Sequence, residues 1–113
     1  KLEKVISYTK QTMVAYMSEE DLNRLCTYVA EYSSGDTLQK ISPVKVDSQL
    51  KSIDIMHFGW NIGKAFSKKR IHTATFIKNV FAHTLRDLEI STIERKMSHT
   101  ESVCCIKLDV KIV

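Results

Sequence analysis

The side chains with the widest metal-binding and catalytic chemistry in this chain are its four histidines. They stand at His57, His72, His83 and His99, so no two have the i, i+4 spacing that brings a pair of rings to one metal ion on a helix. His57 lies within an apolar helical pattern, where a hydrogen-bonded core histidine is more frequent than a metal ligand. The histidines therefore predict no metal site.

The cysteines argue against both a nucleophile and a disulfide framework. Cys104 and Cys105 are adjacent, and with Cys26 they make an odd number, which favours a reducing, cytoplasmic setting. No helix N-terminus or histidine stands near them in the sequence to activate a thiol. The chain also has no G-x-S-x-G elbow, no P-loop and no G-x-G-x-x-G motif. We therefore expect a non-enzyme that needs no cofactor.

Basic residues offer a second kind of chemistry, the binding of phosphates. Seventeen lysines and arginines against thirteen acidic residues give a formal net charge of +4. Such an excess favours anionic partners only where it is clustered. Two segments, "SKKR" and "STIERK", are such clusters. We predict a non-enzymatic DNA-binding or regulatory accessory protein whose contacts to double-stranded DNA come from Lys68, Lys69, Arg70, Ser91, Thr92, Arg95 and Lys96, with Arg95 reaching a base edge.

An interaction domain without nucleic-acid binding is the alternative hypothesis. Glu89 and Glu94 put negative charge beside the proposed reading face, where they are able to form weak surface pairs with its cations. Trp60 lies outside the main apolar face of its predicted helix and is expected to mark a boundary that another chain covers. The edge of a C-terminal strand would then pair with a partner or form a homodimer.

Helices must position these residues, because apolar side chains recur at helical spacing along most of the chain. The first such segment covers residues 2–17, although a strand through "TMVAYM" is an alternative. Ser18 is the predicted N-cap of the second helix, and Gly35 is its predicted left-handed C-cap. The irregular segment that follows, around Pro43, is expected to wrap over the core.

The predicted central helix is apolar on nearly all sides, as expected of a buried helix. Ser52 is its predicted N-cap. Gly59 and Gly63 lie on one face, where each costs about 1 kcal/mol in helix propensity. We interpret the pair as the place where another helix comes close to the backbone, with a break between the two glycines as the alternative.

The second half of the chain has the order of elements found in winged-helix proteins. A core helix within residues 72–85 is followed by a short polar helix, for which Ser91 and Glu94 form an S-x-x-E capping box. Apolar and polar residues then alternate from Ile106 to Ile112, which predicts a half-buried strand. We expect a single mainly α domain over residues 1–113, with about five helices, one or two terminal β-strands and a winged-helix-like C-terminal half. No apolar run is long enough to span a bilayer, so no membrane partner is expected.

The stretches "HFGWN", "FIKNVF" and "LRDLEISTI" lie within Ile53–Met97. Through them the chain is similar to small bacterial proteins carried on conjugative and other mobile elements. More distantly it resembles the C-terminal domain of the RteC family of conjugative-transposon regulators, whose helices form a DNA-binding helix-turn-helix. The resemblance implies a mobile-element setting, and it would give the reading role to the residues from Ser91 to Lys96.

Overall fold

The computed structural model describes residues 1–35, 40–100 and 103–112 and contains five α-helices in that part of the chain. None of those residues lies in a β-strand. The helices are α1 (Leu2–Met13), α2 (Glu19–Ser34), α3 (Ser52–Ala65), α4 (Arg70–Val80) and α5 (Ile90–Lys96). The prediction of a mainly α protein is therefore confirmed, and the prediction of terminal strands is wrong.

Two predicted caps fix the ends of α2. The Ser18 side chain accepts a hydrogen bond from the Asp21 amide at 3.1 Å, which satisfies one of the unpaired N–H groups at the helix start. Gly35 ends the helix in the left-handed conformation, with φ +78°. The helical interpretation of the first segment is also confirmed, but α1 ends at Met13 and residues 14–16 form a turn.

The central helix α3 is buried on nearly every side, as its apolar pattern predicts. Its N-cap is Lys51 and not Ser52, because the Asp54 carboxylate accepts the Lys51 amide at 2.9 Å and so closes the first turn. A Cβ added to Gly59 would stand 2.9 Å from the side chain of Ile77, a residue of α4. The prediction of a close helix approach at the glycines is confirmed, and α3 continues unbroken between them.

Residues 40–51 wrap over the core, as expected, and are held by hydrogen bonds to two helices, whereas residues 36–39, where the predicted segment begins, lie outside the described residues. The Val44 amide donates to the Val80 carbonyl at the end of α4, at 2.9 Å. Arg24 of α2 donates to the Pro43 carbonyl at 2.8 Å. These bonds satisfy backbone groups of an extended segment that has no neighbouring strand.

The winged-helix expectation for the C-terminal half is wrong for two reasons. First, residues 103–112, called the C-terminal segment below, form no strand, and their backbone groups bond to side chains of α3 instead. Second, α5 begins at Ile90 with Glu89 as its N-cap and no side-chain cap, so the predicted box of Ser91 and Glu94 does not form. Residues 81–89 separate α4 from α5, a longer connection than a helix-turn-helix uses.

Candidate nucleic-acid interface

Arg70 connects the beginning of α4 to the end of α5. Its Nη1 donates to the Ser98 hydroxyl at 3.1 Å, and its Nη2 donates to the backbone carbonyl of Glu94. Arg95 and Lys96 lie in the chain between these two partners. The basic residues at the start of α4 and those at the end of α5 are thereby brought together, although the two clusters are well separated in the sequence. We call the set of Lys68, Lys69, Arg70, Arg95 and Lys96 the basic edge.

The indole ring of Trp60 lies against two basic side chains, one of which, Arg70, belongs to the basic edge. The Arg70 guanidinium carbon lies 4.9 Å from the centre of the indole ring, and the Lys64 ammonium lies 5.8 Å from it. Both are cation–π distances. The indole N–H donates to Asp109 at 2.7 Å. Trp60 is only partly buried, but its ring and its N–H already contact groups of this chain, and its predicted role in binding a partner stays a prediction.

Asp109 places a carboxylate in direct contact with the Trp60 indole. Its carboxylate accepts hydrogen bonds from the Trp60 indole and from Lys64, at 2.7 Å and 3.1 Å. These two bonds favour the ionised carboxylate and hold the pKa of Asp109 below its usual value. Lys64 is therefore partly neutralised, so it is not counted in the basic edge.

A small cavity of about 110 Å³ opens beside the basic edge, between the end of α3 and the first turn of α4. Three cations contribute to its wall, and the Lys68 ammonium also lies 5.5 Å from the centre of the Tyr32 ring. The lining residues of the cavity are Trp60, Gly63, Lys64, Lys68, Arg70, Thr73 and Met97.

The predicted DNA contacts do not all lie at the same place. Lys69, Arg95 and Lys96 are exposed, whereas Lys68 and Arg70 are half-buried, and in the described ranges none of the five forms a salt bridge. Ser91 and Thr92 are at the other end of α5, about 7 Å along its axis from Lys96. The contacts of Arg70 thus bring the start of α4 to the end of α5 that carries Arg95 and Lys96, whereas Ser91 and Thr92 belong to the opposite end of that helix.

His57 is a buried, hydrogen-bonded core histidine, as expected, but sequence reasoning missed that it belongs to a row of buried polar side chains on α3. Asp54, His57 and Asn61 are each at most 2% exposed and share one helical face. The Asp54 carboxylate accepts the amides of Cys105 at 2.6 Å and Ile106 at 3.0 Å. The Asn61 amide group donates to the Lys107 carbonyl at 2.8 Å.

Together these bonds hold the C-terminal segment against α3. The signal was present in the sequence, because polar residues at positions 54, 57 and 61 stand three and four apart in an otherwise apolar helix.

Comparison with protein-family models, with curated proteins and with solved structures gives no match. Within residues 1–35, 40–100 and 103–112, no helix combines the length and the apolar character needed to cross a bilayer. In the same ranges, no three His, Cys, Asp or Glu side chains are grouped so that they could hold a metal ion.

Proposed function

We propose that the protein is a non-enzymatic DNA-binding accessory protein that contacts the phosphate backbone through the basic edge. The observation that supports the proposal is the contact of Arg70 with the end of α5, which places the start of α4 beside the stretch that carries Arg95 and Lys96. The mobile-element setting implied by the sequence resemblance is part of the same proposal.

The proposed roles of the basic-edge residues differ because their side chains differ in exposure and in the hydrogen bonds that they form. Lys69, Arg95 and Lys96 are exposed and form no salt bridge with the described acidic side chains, so their charges are available to phosphates. Arg70 uses two of its nitrogens within the protein, so its main task is to position α5. Arg95 remains the candidate for a contact to a base edge.

Backbone binding of this kind is governed by the release of counterions. Each phosphate neutralised by a lysine or arginine contributes about −0.9 to the slope of log K against log salt. Three phosphate contacts, from Lys68, Lys69 and Lys96, would give a slope of about −2.7. Binding should therefore be measurable at low salt and should weaken steeply as salt is added.

The test is a salt titration of a labelled DNA duplex by fluorescence anisotropy, with the wild type and two double variants. Arg95→Ala/Lys96→Ala should weaken binding and, through loss of the Lys96 phosphate contact, flatten the slope by about 0.9. Lys10→Ala/Lys45→Ala removes the same charge from exposed positions outside the basic edge, and it should leave the slope near that of the wild type. Absence of binding by folded wild type at low salt would overturn the proposal, as would equal losses in the two variants.

A further inference from the structure

His57 places both of its ring nitrogens against backbone carbonyl oxygens. Nδ1 lies 2.8 Å from the carbonyl oxygen of Ile106, and Nε2 lies 2.9 Å from that of His99. The side chain is only 1% exposed, so water cannot replace either partner. His57 thus bridges α3, the chain just after α5 and the C-terminal segment.

The two carbonyl partners decide which protonation state of His57 fits this site. A carbonyl oxygen only accepts hydrogen bonds, and a neutral imidazole has a single N–H to donate. In the neutral ring, one nitrogen would therefore point a lone pair at an oxygen less than 3 Å away. The imidazolium has two N–H groups and satisfies both contacts.

We propose that His57 is a proton-dependent clamp, whose imidazolium form holds the C-terminal segment and the residues after α5 against α3. Loss of the proton breaks one of the two hydrogen bonds and loosens the segment that depended on it. This inference is independent of the DNA-binding proposal, because it concerns only contacts within the protein, between α3 and the two segments that His57 bridges.

The charges around His57 suit a buried cation. Asp54 lies one turn earlier on the same face of α3 and carries a carboxylate that already bonds to the C-terminal segment. Asp109, on that segment, has a lowered pKa, mainly because its carboxylate accepts hydrogen bonds from Trp60 and Lys64, so it is a carboxylate at neutral pH. The Tyr8 hydroxyl of α1 bonds to Asn61, and burial raises its pKa, so it remains neutral.

Two further titratable groups belong to the segments that pack on the ring. The His99 imidazole is exposed and meets His57 only through its backbone carbonyl, and the Lys107 ammonium is exposed while its carbonyl accepts from Asn61. Neither side chain competes for the ring nitrogens in these contacts. The clamp therefore depends on the proton of His57 itself.

The C-terminal segment is the part that should respond, because its anchoring bonds come from side chains and not from a helix or sheet of its own. Its backbone groups at Cys105, Ile106 and Lys107 bond to the polar row of α3. Because only the imidazolium donates to both carbonyls, the proposed clamp predicts that docking is favoured at low pH and weakens when the ring loses its proton, by up to about tenfold per pH unit.

The primary test is NMR of the wild type with ¹⁵N-labelled histidine, followed across roughly pH 5 to 8, the range in which histidines titrate. We expect both ring nitrogens of His57 to be protonated while the amides of Cys105 and Ile106 are protected from exchange. As pH rises, loss of one ring proton should coincide with loss of that protection.

Two variants separate the clamp from general effects of histidine titration. His57→Gln cannot donate to both sides, so its amide protection should no longer change with pH in this range. His99→Gln keeps the backbone carbonyl and removes the neighbouring imidazole, so it should retain the wild-type profile. The proposal is overturned if His57 is a neutral tautomer throughout while the segment stays docked, or if His99→Gln abolishes the pH dependence.

Discussion

Thr73 of α4 lies against the backbone of Gly63 in α3, so close that a Cβ on residue 63 would stand 2.5 Å from the Thr73 hydroxyl oxygen. The same hydroxyl lies 2.6 Å from that of Tyr32 in α2. One residue thus meets two helices, and it is buried at 1% exposure. The glycine is required at this crossing because any side chain would push α4 away.

Replacement of Gly63 by Ala should destabilise the protein by up to about 2 kcal/mol in urea unfolding. Alanine gains about 1 kcal/mol in helix propensity, but overpacking a tight contact costs about 1–3 kcal/mol, so the second effect dominates. The blocking atoms are attached directly to the Thr73 Cβ and have little freedom to rotate away. In a Thr73→Ala background the same replacement should cost clearly less.

Gly35→Ala is the control for this double-mutant cycle. Nothing lies within 4 Å of a Cβ at that position, but its φ of +78° penalises alanine by about 1 kcal/mol. This penalty should be the same with and without Thr73→Ala. If the effects of Gly63→Ala and Thr73→Ala add to within about 0.5 kcal/mol, the described contact does not limit the packing.

Arg70→Ala should lower the free energy of unfolding by about 1–3 kcal/mol, because the partly buried guanidinium holds α5 through two hydrogen bonds and stacks on Trp60. Arg70→Lys keeps the charge but not the planar fork, so we expect it to restore less than half of the loss. Arg95→Ala, at an exposed site, should change stability by no more than about 0.5 kcal/mol. Full rescue by lysine would show that charge alone matters at position 70.

Asp54→Asn should destabilise the protein by about 2–4 kcal/mol. The carboxylate accepts three backbone amides, whereas an asparagine would turn an NH₂ group toward at least one of those donors. NMR should show the amides of Cys105 and Ile106 losing protection from exchange. Asp87→Asn, whose side chain is 92% exposed in the wild type, is the matched control and should be nearly neutral. Wild-type stability in Asp54→Asn would contradict the anchoring role.

Acid titration should be visible in the fluorescence of Trp60, the single tryptophan of the chain. Because the pKa of Asp109 is lowered in the folded state, its carboxylate stays ionised through the usual carboxyl range, and its hydrogen bond to the indole weakens only as pH falls through the lowered value. Asp109→Asn cannot titrate, so this fluorescence change should disappear while circular dichroism still reports intact helices. An identical acid transition in the variant would assign the change to another group.

The helices of this fold could be predicted because their signals are local. Ser18 and Gly35 act within one turn of their own helix, and apolar spacing identifies a buried face without knowledge of what covers it. Ser91 shows the limit of such signals, since its spacing to Glu94 suits a capping box but the N-cap is Glu89, two residues earlier. Gly59 and Gly63 of α3 were informative because glycine lowers helix propensity. Two glycines on one helical face therefore indicate that another element packs closely there.

The strand prediction failed because alternation does not specify a partner. Ile106 is buried as predicted, but Val110 is 39% exposed, and the backbone of the segment is satisfied by α3 side chains about fifty positions earlier in the chain. The basic edge was predictable in composition but not in arrangement. Only the tertiary contacts of Arg70 show that it mainly positions α5, while its neighbours remain exposed.

The docking of the C-terminal segment through its main chain determines which changes of sequence it should tolerate. The polar row of α3 binds amides and carbonyls that every residue except proline provides, so the exposed side chains of Cys105 and Lys107 are open to wide replacement. Proline at Cys105 or Ile106 would remove an amide that Asp54 requires. In related chains, the polar row of α3 should therefore be conserved more strictly than the residue identities in the C-terminal segment.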